Sequence, residues 1–177
     1  MGLDSLPSDA GLPAPYRCRF VVRKERGPAE VVQFVASGLE MGQQVVVVAG
    51  PGCLKDLARS LTESGFRPEA MLRNGRLVFL TAPDCLSQLE DPEKILQRGP
   101  LRRSMSVVRW VTDWSWAYAD GADTSTILDY QRRVHSFARS LTALSLCTVH
   151  CTKMARGSLL AMLADHRRAL RLDNLPA

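Results

Sequence analysis

From Arg17 onward the apolar positions follow two alternating rhythms: short β-branched runs, and stretches with apolar residues three and four apart. Cys18 to Val22 reads as a first strand, after which Gly27-Pro28 opens a helix carrying Val31, Val35, Gly38 and Leu39 on one face. Gly42 is placed to end that helix in a left-handed cap, and Val45 to Val48 is a continuous apolar strand of the kind buried on both sides. Leu54, Leu57, Ala58 and Leu61 mark a second helix, with Gly65 just past its end, and Leu77 to Leu80 supply a third strand. Asp91-Pro92-Glu93 has the form of another helix start. Ser106 to Thr112 is a strand interrupted only by Arg109. Asp123 or Thr124 can cap a helix through Ile127, Val134, Phe137, Ala138 and Leu141, and a strand from Ala143 to Val149 follows. A short helix around Leu159 to Leu163 and a last strand near Ala169 to Leu172 bring the expected total to about six strands. This alternation predicts an α/β fold, a three-layer α/β/α sandwich with a mostly parallel central sheet.

Residues 1–15 lack such a period and contain Gly2, Pro7, Gly11, Pro13 and Pro15, so they read as an unstructured tail ahead of one domain spanning 16–177. With 177 residues, 46% of them hydrophobic, the chain can bury a core without metal or disulfide support. Twenty-three Lys plus Arg against 18 Asp plus Glu gives a net charge of +5, a weak bias toward anionic partners. The basic residues of the C-terminal half, among them Arg102, Arg103, Arg132, Arg133, Arg167 and Arg168, are spread over several elements. No helix-turn-helix or zinc finger accompanies them, so a solvated face is favoured over a nucleic-acid site. Five cysteines, an odd number without a CxxC pair, and the lack of an apolar leader point to reduced thiols in the cytoplasm. The apolar runs are too short for a membrane span.

Ligands of open parallel sheets bind at the carboxyl ends of the strands, which singles out the segments Ala49 to Cys53, Thr81 to Asp84, Thr112 to Trp116 and Val149 to Thr152. Gly50 and Gly52 occupy the place of a phosphate loop, but Lys55 is followed by Asp56 rather than by a hydroxyl that could hold Mg²⁺. Asp113, ending a strand, either lines a pocket or caps a turn and pairs with an arginine. Trp114 and Trp116 flank it; one indole can wall the same cleft, or both can pack against helices. Cys147, His150 and Cys151 are soft ligands close in sequence, yet a structural zinc needs four ligands and no second knuckle is apparent, so no metal is expected. His135 reads as a surface helix residue and His166 as a helix-end residue.

The wording of several segments resembles the MEDS domain, the sensory module of methanogen and methylotroph regulators of the dichloromethane-regulator type. The resemblance runs from about Tyr16 to Asp173 and rests on Phe34-x4-Leu39-x2-Gly42, Asn74-Gly75-Arg76-Leu77, Asp91 to Leu96, Thr112-Asp113-Trp114-Ser115-Trp116, Leu128-Asp129-Tyr130-Gln131 and Leu163-Ala164-Asp165-His166. It implies a RecA/KaiC-like core without a functional phosphate loop, small organic ligands, and output through attached DNA-binding or histidine-kinase domains. This chain has Tyr16 to Val21 where the family has a His-x-Cys-x-Phe-Tyr-like strand. It has Gln131 in place of an acid, and His150-Cys151-Thr152-Lys153 in place of an Asp-Arg-Arg loop.

The expectation is therefore a non-catalytic cytoplasmic sensory or signalling domain that needs no cofactor, with a small organic ligand, a regulatory partner protein or a second copy of itself as its counterpart. Gly50 and Gly52 would offer backbone donors, Asp113 and Tyr130 polar orientation, Trp116 an apolar wall and His150 a titratable hydrogen-bonding group. The competing readings are a divergent nucleotide-binding ATPase-like protein using Asp113 and the turn from Gly50 to Lys55, and a basic nucleic-acid-binding module.

Overall fold

A computed structural model describes residues 17–23, 29–81, 107–115, 124–140, 143–150 and 156–171. In chain order the elements are β1 (Arg17–Arg23), α1 (Ala29–Glu40), β2 (Gln44–Ala49), α2 (Pro51–Glu63), α3 (Pro68–Arg73), β3 (Leu77–Thr81), β4 (Val108–Asp113), α4 (Thr124–Ser140), β5 (Ala143–His150) and α5 (Arg156–Arg171). The five strands form one sheet in the order β1-β5-β4-β2-β3, every pairing parallel. Expectations for the tail, the Gly27-Pro28 helix start, the helix at Asp91 and the cap at Asp123 fall outside the described residues.

Successive strand residues point to opposite faces, and each face buries its own core. Val45, Val47 and Ala49 of β2, with Val111 and Leu146, pack under Val31, Val35 and Leu39 of α1 and Leu54, Leu57 and Leu61 of α2. Val46, Val48, Trp110, Cys147 and Val149 pack on the other face under Ile127, Tyr130 and Val134 of α4 and Met162 of α5. The three layers expected from the sequence are therefore present. β2 and β4 are buried along their whole length, as parallel strands covered on both faces must be. Gly42, Gly65 and Gly75 adopt φ of 74°, 87° and 73°, and the first two end α1 and α2 as their positions foretold.

Arg109 does not break β4. The sheet ladder continues through it, and its guanidinium turns back onto α1, where Nη1 donates to the Phe34 carbonyl at 2.8 Å and Nε to Gln43 Oε1 at 2.6 Å. The cation lies 4.7 Å from the centre of the Phe34 ring, and burial lowers its pKa from the ordinary arginine value. Gly38 provides the room, since a Cβ there would stand 2.5 Å from Arg109 Cδ.

Two expectations are corrected. Ala169 to Arg171 form no strand, because α5 continues to Arg171 as one 16-residue helix, leaving five strands among the described residues. Counting His166 as a solvated helix end cut the period short, whereas Leu159, Met162 and His166 share the inward face. The six-residue α3, with Pro68 at its start, is too short to leave an apolar period in the sequence.

Candidate functional site

The topology has a switch point at the strand ends where the sequence places a candidate ligand site. Beyond the carboxyl end of β2 the chain turns into α2 on one face, while the chain after β4, the neighbouring strand, returns as α4 on the opposite face. Such a divergence between adjacent parallel strands is a topological switch point, the usual ligand position in open α/β sheets. Gly50 follows β2 and Asp113 ends β4, one on each side of the switch point.

Asp113 is held by its own turn. Its Oδ1 accepts from the Ser115 N–H at 3.1 Å and from the Ser115 hydroxyl at 2.6 Å, and Ser115 Oγ accepts the His150 N–H at 2.9 Å. The Trp114 N–H donates to the Thr148 carbonyl at 2.8 Å. The ends of β4 and β5 are thus tied together, and Asp113 and His150, expected to share a site, are joined through Ser115. Both are buried. Gly50 takes an extended conformation before Pro51 and its carbonyl accepts the Leu54 N–H, so it is the N-cap of α2. Gly52 is exposed in the first turn, with nothing within 4 Å of the place a Cβ would occupy. Lys55 lies on the solvent face of α2, and Asp56 forms a 2.9 Å ion pair with Arg59. Tyr130 is placed differently from its expected companions: it packs edge-on against Trp114 at 5.3 Å inside the α4/α5 layer. Trp116 and Cys151 lie outside the described residues.

A second constellation lies deeper in that α4/α5 layer. Cys18 of β1, His135 of α4, Cys147 of β5 and His166 of α5 each offer one ligand atom, and these atoms all lie within 4.8 Å of one another. The two sulfurs are 3.5 Å apart, and His166 Nδ1 is 3.1 Å from His135 Nε2. In the β1–β5 register Phe20 stands beside Cys147 and Cys18 beside Ser145, so alternation directs both thiols to the same face. His135, His166 and Cys147 are buried and Cys18 is half-buried; Phe20 meets His166 edge-on at 5.1 Å. The hydrogen bond from Cys18 holds the Cys147 thiol well below the ordinary cysteine range, against burial and with help from His135. Burial pushes His166 below the ordinary histidine value, opposed by Cys147.

This geometry overturns the reading of His135 and His166 as surface and helix-end residues, since both are 3% exposed. Among the described residues Cys147 joins Cys18, His135 and His166, which are distant in sequence. The signal for His135 was available: Ile127, Gln131 and His135 are four apart and all face inward. No sequence signal places β1 beside β5, however, and so none brings Cys18 to Cys147.

Of the basic C-terminal residues that are described, Arg132 pairs with Asp165 at 3.1 Å and Arg133 with Asp129 at 3.0 Å. No helix among the described residues is long and apolar enough to cross a membrane. No curated protein matches the chain. A family profile described as MEDS, the methanogen/methylotroph, DcmR sensory domain, matches residues 17–167.

Proposed function

The chain belongs to the MEDS sensory-domain family, and from that premise we propose that it is a non-catalytic signalling module. It receives a small organic ligand in the switch-point crevice and passes the signal to a regulatory partner protein or a second copy of itself, controlling transcription or a related response. The observation that supports this reading is the switch point between β2 and β4, where the described residues after β2 do not include the lysine-plus-hydroxyl pair of a phosphate loop. Lys55 projects to solvent from α2, and the position that would carry a Mg²⁺-binding hydroxyl is Asp56, already paired with Arg59. Asp113 is anchored to Ser115, which suits an orienting acceptor better than a metal-orienting acid.

Gly50, Gly52 and Asp113 rim the ligand, and His150 backs it through Ser115. Tyr130 acts through Trp114, which it supports from the layer behind. Reduced thiols at Cys18 and Cys147 suit a cytoplasmic setting. Calorimetric titration with ATP, with and without Mg²⁺, tests the non-catalytic assignment. Neither condition should give tight binding; tight Mg²⁺-dependent binding that Asp113→Ala abolishes would replace this reading with a nucleotide hydrolase.

A further inference from the structure

We propose that Cys18, Cys147, His135 and His166 form a closed tetrahedral binding site for one zinc ion, separate from the switch-point crevice. Each ligand comes from a different element, β1, β5, α4 and α5, so the ion would tie the edge strand of the sheet to both helices that cover it.

Distances support the assignment. A tetrahedral zinc with Zn–S near 2.3 Å and Zn–N near 2.0–2.1 Å sets its two sulfurs roughly 3.8 Å apart and its two nitrogens roughly 3.3 Å apart. The sulfurs here are separated by 3.5 Å and the closest imidazole nitrogens by 3.1 Å. Those two pairs would open by a few tenths of an ångström to seat the ion, while the wider pairs of the set, all within 4.8 Å, would close toward the roughly 3.6 Å of a tetrahedral S–N edge.

Ligand chemistry selects the metal. Two thiols and two imidazoles are soft and intermediate donors, which discriminate against Mg²⁺ and Ca²⁺, and a tetrahedral S₂N₂ set is typical of zinc. Four protein ligands leave no open coordination position, so the site is structural rather than catalytic. The surroundings agree: Phe20 packs on His166, while Leu128 and Leu159 line the same core.

A disulfide between Cys18 and Cys147 is the competing use of the same thiols. It requires the sulfurs to close to about 2.05 Å and removes both from metal binding. The full chain, purified under reducing conditions and stripped with a chelator, distinguishes the two when titrated with Co²⁺ and then Zn²⁺. One Co²⁺ per chain should bind, with the intense visible absorption of tetrahedral coordination and a thiolate charge-transfer band, and Zn²⁺ should displace it. Cys18→Ser should weaken Zn²⁺ binding by more than the roughly 10- to 100-fold that loss of an outer hydrogen-bond partner costs. Cys53→Ser, in the opposite layer, should leave the titration unchanged. X-ray absorption on the zinc-loaded wild-type chain should count two sulfurs and two nitrogens, so the result does not depend on any variant folding. Absence of the cobalt spectrum, an unaltered spectrum in folded Cys18→Ser, a shell without sulfur, or a Cys18–Cys147 disulfide in the reduced protein would each overturn the proposal.

Discussion

Gly38→Ala tests whether β4, the strand that carries Asp113, is positioned by the buried cation at Arg109. In an ordinary helix interior the change stabilises by about 1 kcal/mol, because alanine loses less backbone entropy than glycine. Here the new Cβ would meet Arg109 Cδ at 2.5 Å, Arg109 Nε at 2.9 Å and Val45 Cγ2 at 3.1 Å. Carbon pairs pack best at roughly 3.5–4.0 Å, so the overlap with Cδ is about 1 Å or more. Arg109 cannot swing aside freely: Nε is held by Gln43 at 2.6 Å, Nη1 by the Phe34 carbonyl at 2.8 Å, and only 8% of the residue is exposed. Overpacking of this kind costs about 1–3 kcal/mol, and breaking a charged hydrogen bond to relieve it costs a further 1.5–3 kcal/mol or so. After the helical gain is subtracted, a net destabilisation of about 1.5–5 kcal/mol is expected, read as a fall in the urea midpoint at unchanged slope. A double-mutant cycle identifies the cause. Arg109→Val keeps a strand-forming side chain but removes Cδ and Nε, and in that background Gly38→Ala should be neutral or stabilising. Stabilisation by Gly38→Ala in the wild-type background, or additive effects in the cycle, would refute the reasoning.

Further outcomes follow from the same contacts. Ser115→Ala removes the hydroxyl shared by Asp113 and the His150 N–H, and it should lower unfolding free energy by about 1–3 kcal/mol in chemical denaturation while loosening amide exchange at His150. Gly52→Ala should leave stability unchanged or raise it by up to about 1 kcal/mol, since nothing stands within 4 Å; any ligand that approaches the turn closely should then bind more weakly in calorimetry. Trp114→Ala opens a cavity beside Tyr130 in a fully buried position and should cost about 3–5 kcal/mol, measurable by thermal unfolding. Chelator treatment should lower the unfolding temperature, and added Zn²⁺ should restore it, by about 2.7 kcal/mol of unfolding free energy at a hundredfold excess of Zn²⁺ over its dissociation constant.

The sequence made the layers legible because local chemistry fixes them. Val45 to Val48 is apolar on both faces and had to be a central strand, and Gly42 and Gly65 stop their helices because they can adopt positive φ. Asp113 and His150 were legible as strand-end residues, although their link through Ser115 depends on β4 and β5 being neighbours. The Cys and His nest was not legible. Its members come from four elements, and Cys18 and Cys147 are 129 positions apart, so only the strand order brings them together. Imidazoles at His135 and His166 also read as polar in any hydrophobic count, which concealed their inward orientation and shortened the expected α5.

The claim that the switch-point crevice recognises a molecule instead of transforming one is tested most directly by native mass spectrometry of the protein isolated from its own cells. The account predicts a retained small organic molecule or a companion chain, diminished by Asp113→Ala. A retained nucleoside triphosphate with Mg²⁺, turned over to diphosphate on incubation, would contradict it.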